Sequence, residues 1–360
     1  MDKLERRELS EVIQSSNLNF LFGAGLSTPY LPILGDIENR LNKAKSEDKE
    51  AIYKEYLEHV MIPNRSIIHA KENSVKYLET KSNYETFVST IASILLRRKN
   101  TILSKQANIF TTNIDVFLET ALENLKIEYN DGFSGRLNPT FGIANFKKSV
   151  QQRSLHFDHI SEIPVINIIK IHGSLTWIYE SEKSDKEIIF SSNLRHINKS
   201  LLKKSGTEFL EGYRRILVVN PEESKHLESV LNVYYSELLR LYSSELEKEN
   251  AVLFVMGFSM EDRHIKEITL RAAKSNPTLR IYVFCYKFED KENMEEKLKV
   301  RQHPNIQIVA PENIDNEKRL GLSRITETIF KDIWNNNIPQ NTLNKTEVSS
   351  NDNIGEDDKA

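Results

Sequence analysis

Seven short apolar runs punctuate the chain. They read LNFLF (18–22), NIFTTN (108–113), VINIIKI (165–171), RILVVN (215–220), AVLFVMG (251–257), LRIYVFCY (279–286) and NIQIVA (305–310). They are continuous rather than alternating and rich in β-branched residues, as expected of strands buried on both faces. Stretches of helical periodicity separate them, such as 116–125 and 230–249. Alternation of strand and helix predicts an α/β fold, a Rossmann-like parallel sheet with helices on both faces. One interval is too long for a simple crossover. From about residue 36 to 105 the pattern is helix after helix, including YETFVSTIASILLRRK (84–99), which predicts a helical module inserted between the first two strands. Residues 131–152 are rich in Gly, Asn and Phe and predict an ordered loop over the sheet. The stretch 336–360 is polar and lacks aromatics, and is expected to be a disordered tail. Residues 1–335 are read as one domain carrying the insertion.

Composition changes this picture little. The 360 residues are 39% hydrophobic and 28% charged, with a net charge of −3. Basic residues are spread along the chain, so direct nucleic-acid binding is not indicated. The single cysteine, Cys285, lies in the apolar run IYVFCY and is expected to be a small core residue. One cysteine cannot form an internal disulfide or a cysteine zinc site. The N-terminal segment MDKLERRELSEVIQ has no apolar centre, and no run approaches a membrane span. The expectation is a cytoplasmic protein with no membrane association.

Candidate chemistry gathers at the ends of the strands. The first run leads into NFLFGAGLSTPYLP (19–32), where Gly23 and Gly25 follow the strand directly. Glycines there let backbone N–H groups close on an anion, usually a phosphate. The spacing resembles the start of GxGxxG, but Thr28 stands at the third glycine position. A plain tight turn is the alternative. Ser27 either caps the following helix or contacts a phosphate. The second run ends TTNID (111–115), the third KIHGS (170–174) and the fifth GFSMEDRHI (257–265). Asn113 alone reads as a turn residue, and His172 alone as a buried histidine. Four polar or glycine-bearing ends on one sheet edge point instead to a ligand site. His156 and His159 in HFDH lack a third ligand and are read as a solvated loop. No acidic or histidine cluster suggests a metal. Trp177 and Tyr179 either wall a pocket or fill the core, and the core is favoured.

Together the four segments resemble the sirtuin superfamily, and most closely its zinc-less bacterial branch of NAD-hydrolysing proteins in antiphage defence. GAGLS is similar to the family's GAGxS phosphate turn, TTNID to its asparagine segment, KIHGS to its histidine segment, and GFSMEDRHI to its segment near the adenosine. The helical stretch VNPEESKHLESVLNVYYSELLRLY (219–242) also resembles the family's approach to the fifth strand. The likeness spans roughly residues 15–285. Two departures set the chain apart from the deacylases: it lacks four zinc-binding cysteines, and TPYLPILGDIEN follows the glycine turn in place of a Pro-Asp-Phe-Arg segment.

The resemblance implies an NAD+ glycohydrolase giving nicotinamide and ADP-ribose, with NAD as substrate and no metal. It assigns Asn113 and His172 as catalytic. Gly23, Ala24, Gly25, Ser27, Thr112, Asp115, Gly173, Ser174, Gly257, Ser259 and Asp262 would form the NAD site. Gly23, Ala24 and Gly25 would face the pyrophosphate; Gly257, Ser259 and Asp262 would face the adenosine ribose. Asp115 either fixes local geometry or meets the nicotinamide end, and Ser174 either binds phosphate or caps a turn. The implied role is an NAD-depleting effector, controlled by homo-oligomerisation or by a HerA-type ATPase partner, with the insertion as the place for such a contact. The alternatives are a catalytically silent NAD or ADP-ribose sensor and, disfavoured by the missing cysteines, an NAD-dependent deacylase.

Overall fold

The structure, a computed structural model, describes residues 3–33, 40–41, 44, 46–69, 71–98, 102–179, 188–214, 216–218, 231–311 and 319–331. The stretches 219–230 and 336–360, on which parts of the sequence reading fall, lie outside them. The strands run in chain order as β1 (Asn17–Phe22), β2 (Gln106–Thr111), β3 (Tyr129–Asn130), β4 (Phe133–Ser134), β5 (Thr140–Phe141), β6 (Val150–Arg153), β7 (Ile160–Ile163), β8 (Val165–Lys170), β9 (Gly173–Tyr179), β10 (Ile188–Phe190), β11 (Ile216–Val218), β12 (Ala251–Met256), β13 (Arg280–Phe284) and β14 (Ile306–Val309).

The central sheet has seven parallel strands in the order β14-β13-β12-β1-β2-β8-β3. β1 sits in the middle; the chain winds outward from it on one side through β2 and β8, and on the other through β12 to β14. Every residue of β8 and β12 is buried; β12 is apolar throughout, and β8 is apolar except for Asn167 and Lys170. Helices Val75–Arg97 and Phe117–Leu125 and the 322–331 segment cover one face. There Phe20, Phe22, Phe87, Phe254 and Phe330 interlock, with Phe20 stacked on Phe254 at 5.4 Å. Helices Leu231–Leu246, Arg263–Ser275 and Asp290–Lys297 cover the other. Cys285 is buried there, and burial pushes its thiol up to about 11. Among the described residues no helix is long and apolar enough to cross a membrane.

One expectation is corrected. The run at 215–220 is not a strand of the parallel sheet. Its described part, β11, pairs antiparallel with β9 in a second, five-stranded sheet of order β11-β9-β10-β5-β4. Three apolar residues between helices fit either sheet, and only the partner strand decides. Among the described residues the insertion between β1 and β2 is helical, as expected, and it packs on both sheets. Its long helix Val75–Arg97 forms half the cover of one sheet face, burying Phe87, Val88, Ile91 and Ile94. Its earlier part, Ser46–Ile68, packs instead against the second sheet, in a smaller core with Leu175, Phe209, Tyr213 and Val218. Trp177 fills the core against Phe141, ring centroids 4.7 Å apart, as expected; nothing is described of the Tyr179 side chain. The loop at 131–152 is ordered, pinned by Asn145 Nδ2 donating to Gly132 O (2.8 Å) and Asn130 Nδ2 to Asn145 O (2.7 Å).

One polar feature crosses the apolar sheet. Asn19, Asn108 and Asn167 stand directly opposite one another on β1, β2 and β8. Asn167 Nδ2 donates to Asn108 Oδ1 (2.8 Å), and Asn108 Nδ2 donates to Asn19 Oδ1 (2.9 Å) and to Glu245 Oε2 (3.0 Å). These bonds form in one register only; a slip would leave buried amides unpaired. We expect Asn108→Ala, which takes one hydrogen bond from each neighbour and leaves Asn19 Oδ1 without its Asn108 donor, to lower stability by about 3 kcal/mol. Urea denaturation of the variant beside wild type measures it.

Candidate functional site

The register brings the four chemistry-bearing strand ends level. Phe22 lies opposite Met256 on one side and Thr111 on the other, and Thr111 lies opposite Lys170. The segments beginning at Gly23, Thr112, Ile171 and Gly257 therefore leave one edge side by side. Backbone bonds tie them: Thr112 N donates to Phe22 O (3.2 Å), and Ile171 N to Thr111 O (2.9 Å).

The glycine turn has a neighbour that the sequence did not disclose. A Cβ on Gly23 would lie 2.4 Å from Gly257 O and 2.6 Å from Phe258 Cα; one on Gly25 would lie 3.0 Å from Gly257 O. Gly257 in turn holds φ +61°, and a Cβ there would meet Leu26 at 2.7 Å. Gly23 N and Gly25 N donate to Met256 O and Gly257 O, both at 3.1 Å. The chain itself is what comes so close. The expectation that these two amides meet a pyrophosphate is replaced by a backbone crossing between the β1 and β12 ends. Ala24 and Gly25 present the half-buried outer side of the turn.

Ser27 is not a helix cap and does not face outward. It is 2% exposed, at the centre of a buried network. Its Oγ donates to Asp115 Oδ2 (2.6 Å) and lies 3.0 Å from the hydroxyl of Tyr84 on the Val75–Arg97 helix. Asp115 is buried, and its Oδ1 accepts from Phe117 N (3.2 Å). Of its two readings, fixing local geometry is the one its contacts fit. Ser174 is likewise turned inward, bonded to Thr176 Oγ1 at 2.9 Å. Gly173 makes its turn at φ +78°.

Asn113 is 7% exposed. Its Nδ2 donates to Gly23 O (3.1 Å) and Ser27 Oγ (3.3 Å). A carbonyl oxygen only accepts, so the amide nitrogen must be the atom facing Gly23. Both amide hydrogens are then engaged, while Oδ1 is buried with no hydrogen-bond partner among protein atoms. A carbonyl oxygen in this position can still accept a hydrogen bond from a water or a hydroxyl.

His172 is half-buried, and its Nε2 lies 3.0 Å from Asp262 Oδ2. The segment after β12 thus arches back over the edge to the β8 end. Asp262 also caps helix Arg263–Ser275, its Oδ1 accepting from Ile265 N (3.0 Å). Burial raises its pKa, but the hydrogen bond and charge of His172, with Ile265 N–H and His264, outweigh that and hold it below the ordinary carboxylate value. An ionised carboxylate only accepts, so His172 Nε2 donates in this bond, which fixes how the ring is turned toward Asp262. The partners of Asp262 in this structure are His172 and the N–H of Ile265. Tyr235 flanks His172 with ring centroids 6.1 Å apart, its phenol kept neutral by burial and by the Asp262 charge. Ser259 stays exposed on the rim. His156 and His159 are exposed in the β6–β7 hairpin, as expected. Among the described residues no group of three or more His, Cys, Asp or Glu is arranged to hold a metal ion.

Sequence reasoning missed Tyr84, Tyr235 and Lys170. Only Lys170 left a signal, as a lone cation in the apolar run VINIIKI.

Asn113 and His172 stand at the carboxyl edge of a doubly wound parallel sheet of Rossmann type, the edge at which such folds bind their ligands. A family model, the SIR2-like domain, matches residues 107–309, and the chain belongs to that family. The match runs from β2 to β14; β1 and the GAGLS turn lie before it and complete the same sheet. The family includes NAD-dependent enzymes, and membership implies binding or use of NAD. No curated protein matches the chain significantly.

We expect Gly23→Ala to cost about 3 kcal/mol through overpacking against the Gly257 backbone. A loss of that size in denaturant midpoint without any nucleotide present would establish that the glycine serves the fold.

Proposed function

We propose that the protein is an NAD+ glycohydrolase. The observation that carries this reading is the open, buried acceptor Asn113 Oδ1, on the same sheet edge as the His172–Asp262 pair. In the reaction, the bond between ribose C1′ and the nicotinamide nitrogen breaks. Its electron pair stays on that nitrogen, so the pyridinium leaves as neutral nicotinamide. Positive charge builds on the ribose, as in glycoside hydrolysis. Water forms the new bond at C1′ and releases one proton, giving ADP-ribose. A good leaving group needs little acid catalysis. The protein's task is to position the ribose and the water and to accept a proton.

Each residue has a part. Asn113 Oδ1 accepts from the attacking water or a ribose hydroxyl; its amide hydrogens are engaged in the protein, so it acts as an acceptor alone. His172 Nδ1 takes the proton, and Asp262 holds the ring and favours the imidazolium that forms. Tyr235 flanks that ring. The phosphates would lie along the outer side of the Ala24–Gly25 turn. On the sequence resemblance, the biological role is NAD depletion in antiphage defence, restrained by assembly or by a HerA-type ATPase.

The test is nicotinamide release from NAD+ by the purified protein, alone and with a co-purified partner. Wild type should release it, and Asn113→Ala and His172→Ala should each lower turnover about 100-fold or more. NAD+ that binds but remains intact under both conditions would sink the enzyme reading in favour of a sensor. For Asp262→Asn, which can keep the helix cap but loses the charge, we expect turnover to fall about tenfold. A pH–rate profile of this variant should also move relative to wild type, since the imidazolium loses its counter-charge.

A further inference from the structure

Lys170 is the last residue of β8 and stands two positions before His172. It is 3% exposed, which is rare for a lysine. Its Nζ donates to the backbone carbonyl of Asp115, and it pairs with Glu119 Oε1 on helix Phe117–Leu125 at 3.0 Å. Asp115 O belongs to the 112–116 loop, which carries Asn113. A second bond holds that loop from the insertion: Asn64 Oδ1 accepts from Val116 N at 3.0 Å. One cation thus joins the strand end that bears the histidine to the loop that bears the asparagine.

We propose that Lys170 is a positioning residue that sets Asn113 against His172, with Glu119 as its counter-ion. The inference rests on the glycohydrolase reading for its kinetic readout, but not for its structural one. A buried ammonium is costly to desolvate, and an apolar pair of similar volume at this place would often be as stable or more so. A lysine here therefore needs a reason other than stability, and the backbone carbonyl it grips supplies one. Its three donors suit this arrangement, since one reaches the carboxylate while another reaches the carbonyl. Neither neighbouring loop offers Asp115 O a different side-chain donor among the described hydrogen bonds. The lysine acts through Asn113 and touches no reacting atom in this scheme.

The test uses the full chain. Lys170→Met alone leaves the Glu119 carboxylate buried without its partner, and this can unfold the protein. The informative variant is the double substitution Lys170→Met with Glu119→Gln, which removes both charges; a thermal melt confirms that it folds. Turnover should drop about 10- to 100-fold with KM for NAD+ held, since binding by the rest of the nucleotide is untouched. The same double substitution placed on Asn113→Ala should cost the residual turnover nothing further, because the lysine works through the asparagine. Equal losses in both backgrounds, or unchanged turnover, would overturn the proposal. A readout free of catalysis is the side-chain amide signal of Asn113 in protein labelled with 15N-asparagine, assigned by its disappearance in Asn113→Ala. Displacement of that signal in the double variant supports the clamp, and an unmoved signal overturns it. If wild type releases no nicotinamide, the glycohydrolase reading falls, and the amide signal alone decides the clamp.

Discussion

The site exists because four parallel strands end level. Parallel pairing by itself tolerates a slip, since an apolar strand buried on both faces has no inside or outside to protect. The bonded asparagines Asn19, Asn108 and Asn167 remove that freedom, because buried amides must find partners and do so in one alignment. With the register set, Phe22, Thr111, Lys170 and Met256 stand in one row, and the residues that follow them share one edge. A slip of one residue between β2 and β8 would displace the Asn113 segment from the His172 segment by a strand step.

Polarity in the site is directional. Asp115 accepts from Ser27, Ser27 and Gly23 accept from Asn113, and Asn113 is left with an acceptor alone. On the other side Asp262 accepts from His172 Nε2. The Ser27–Tyr84 contact extends the asparagine side into the long helix between β1 and β2, so a displacement of that helix would be felt at Asn113.

Much of the central sheet was legible from periodicity. Six of the seven apolar runs became strands of it, because an uninterrupted β-branched run has few other uses. The seventh, at 215–220, went to the antiparallel sheet, since pairing direction is a property of the neighbour and not of the run. Asn113 and His172 could be named as candidates because four polar or glycine-bearing strand ends, taken together, match a family pattern that none of them carries alone. The close packing at Gly23 and Gly25 was read correctly as a close approach, but the approaching group was misread. A missing Cβ says that something is near, and nothing in the local text says whether it is a ligand or the far end of β12.

The same division holds across the molecule. Local composition settled which segments could be strands or helices, where the chain turns, and which residue types stand at each strand end. These depend on neighbours within a few positions, and hydrophobic burial and turn chemistry act on that scale. The pairing of His172 with Asp262, the inward turn of Ser27, the grip of Lys170 on Asp115 O and the neutral phenol beside the histidine join residues 55 to 90 positions apart. Such contacts depend on where whole elements come to rest, and on the exclusion of water that follows. Packing therefore decided which of the candidate groups keep a free lone pair, and so which of them can act.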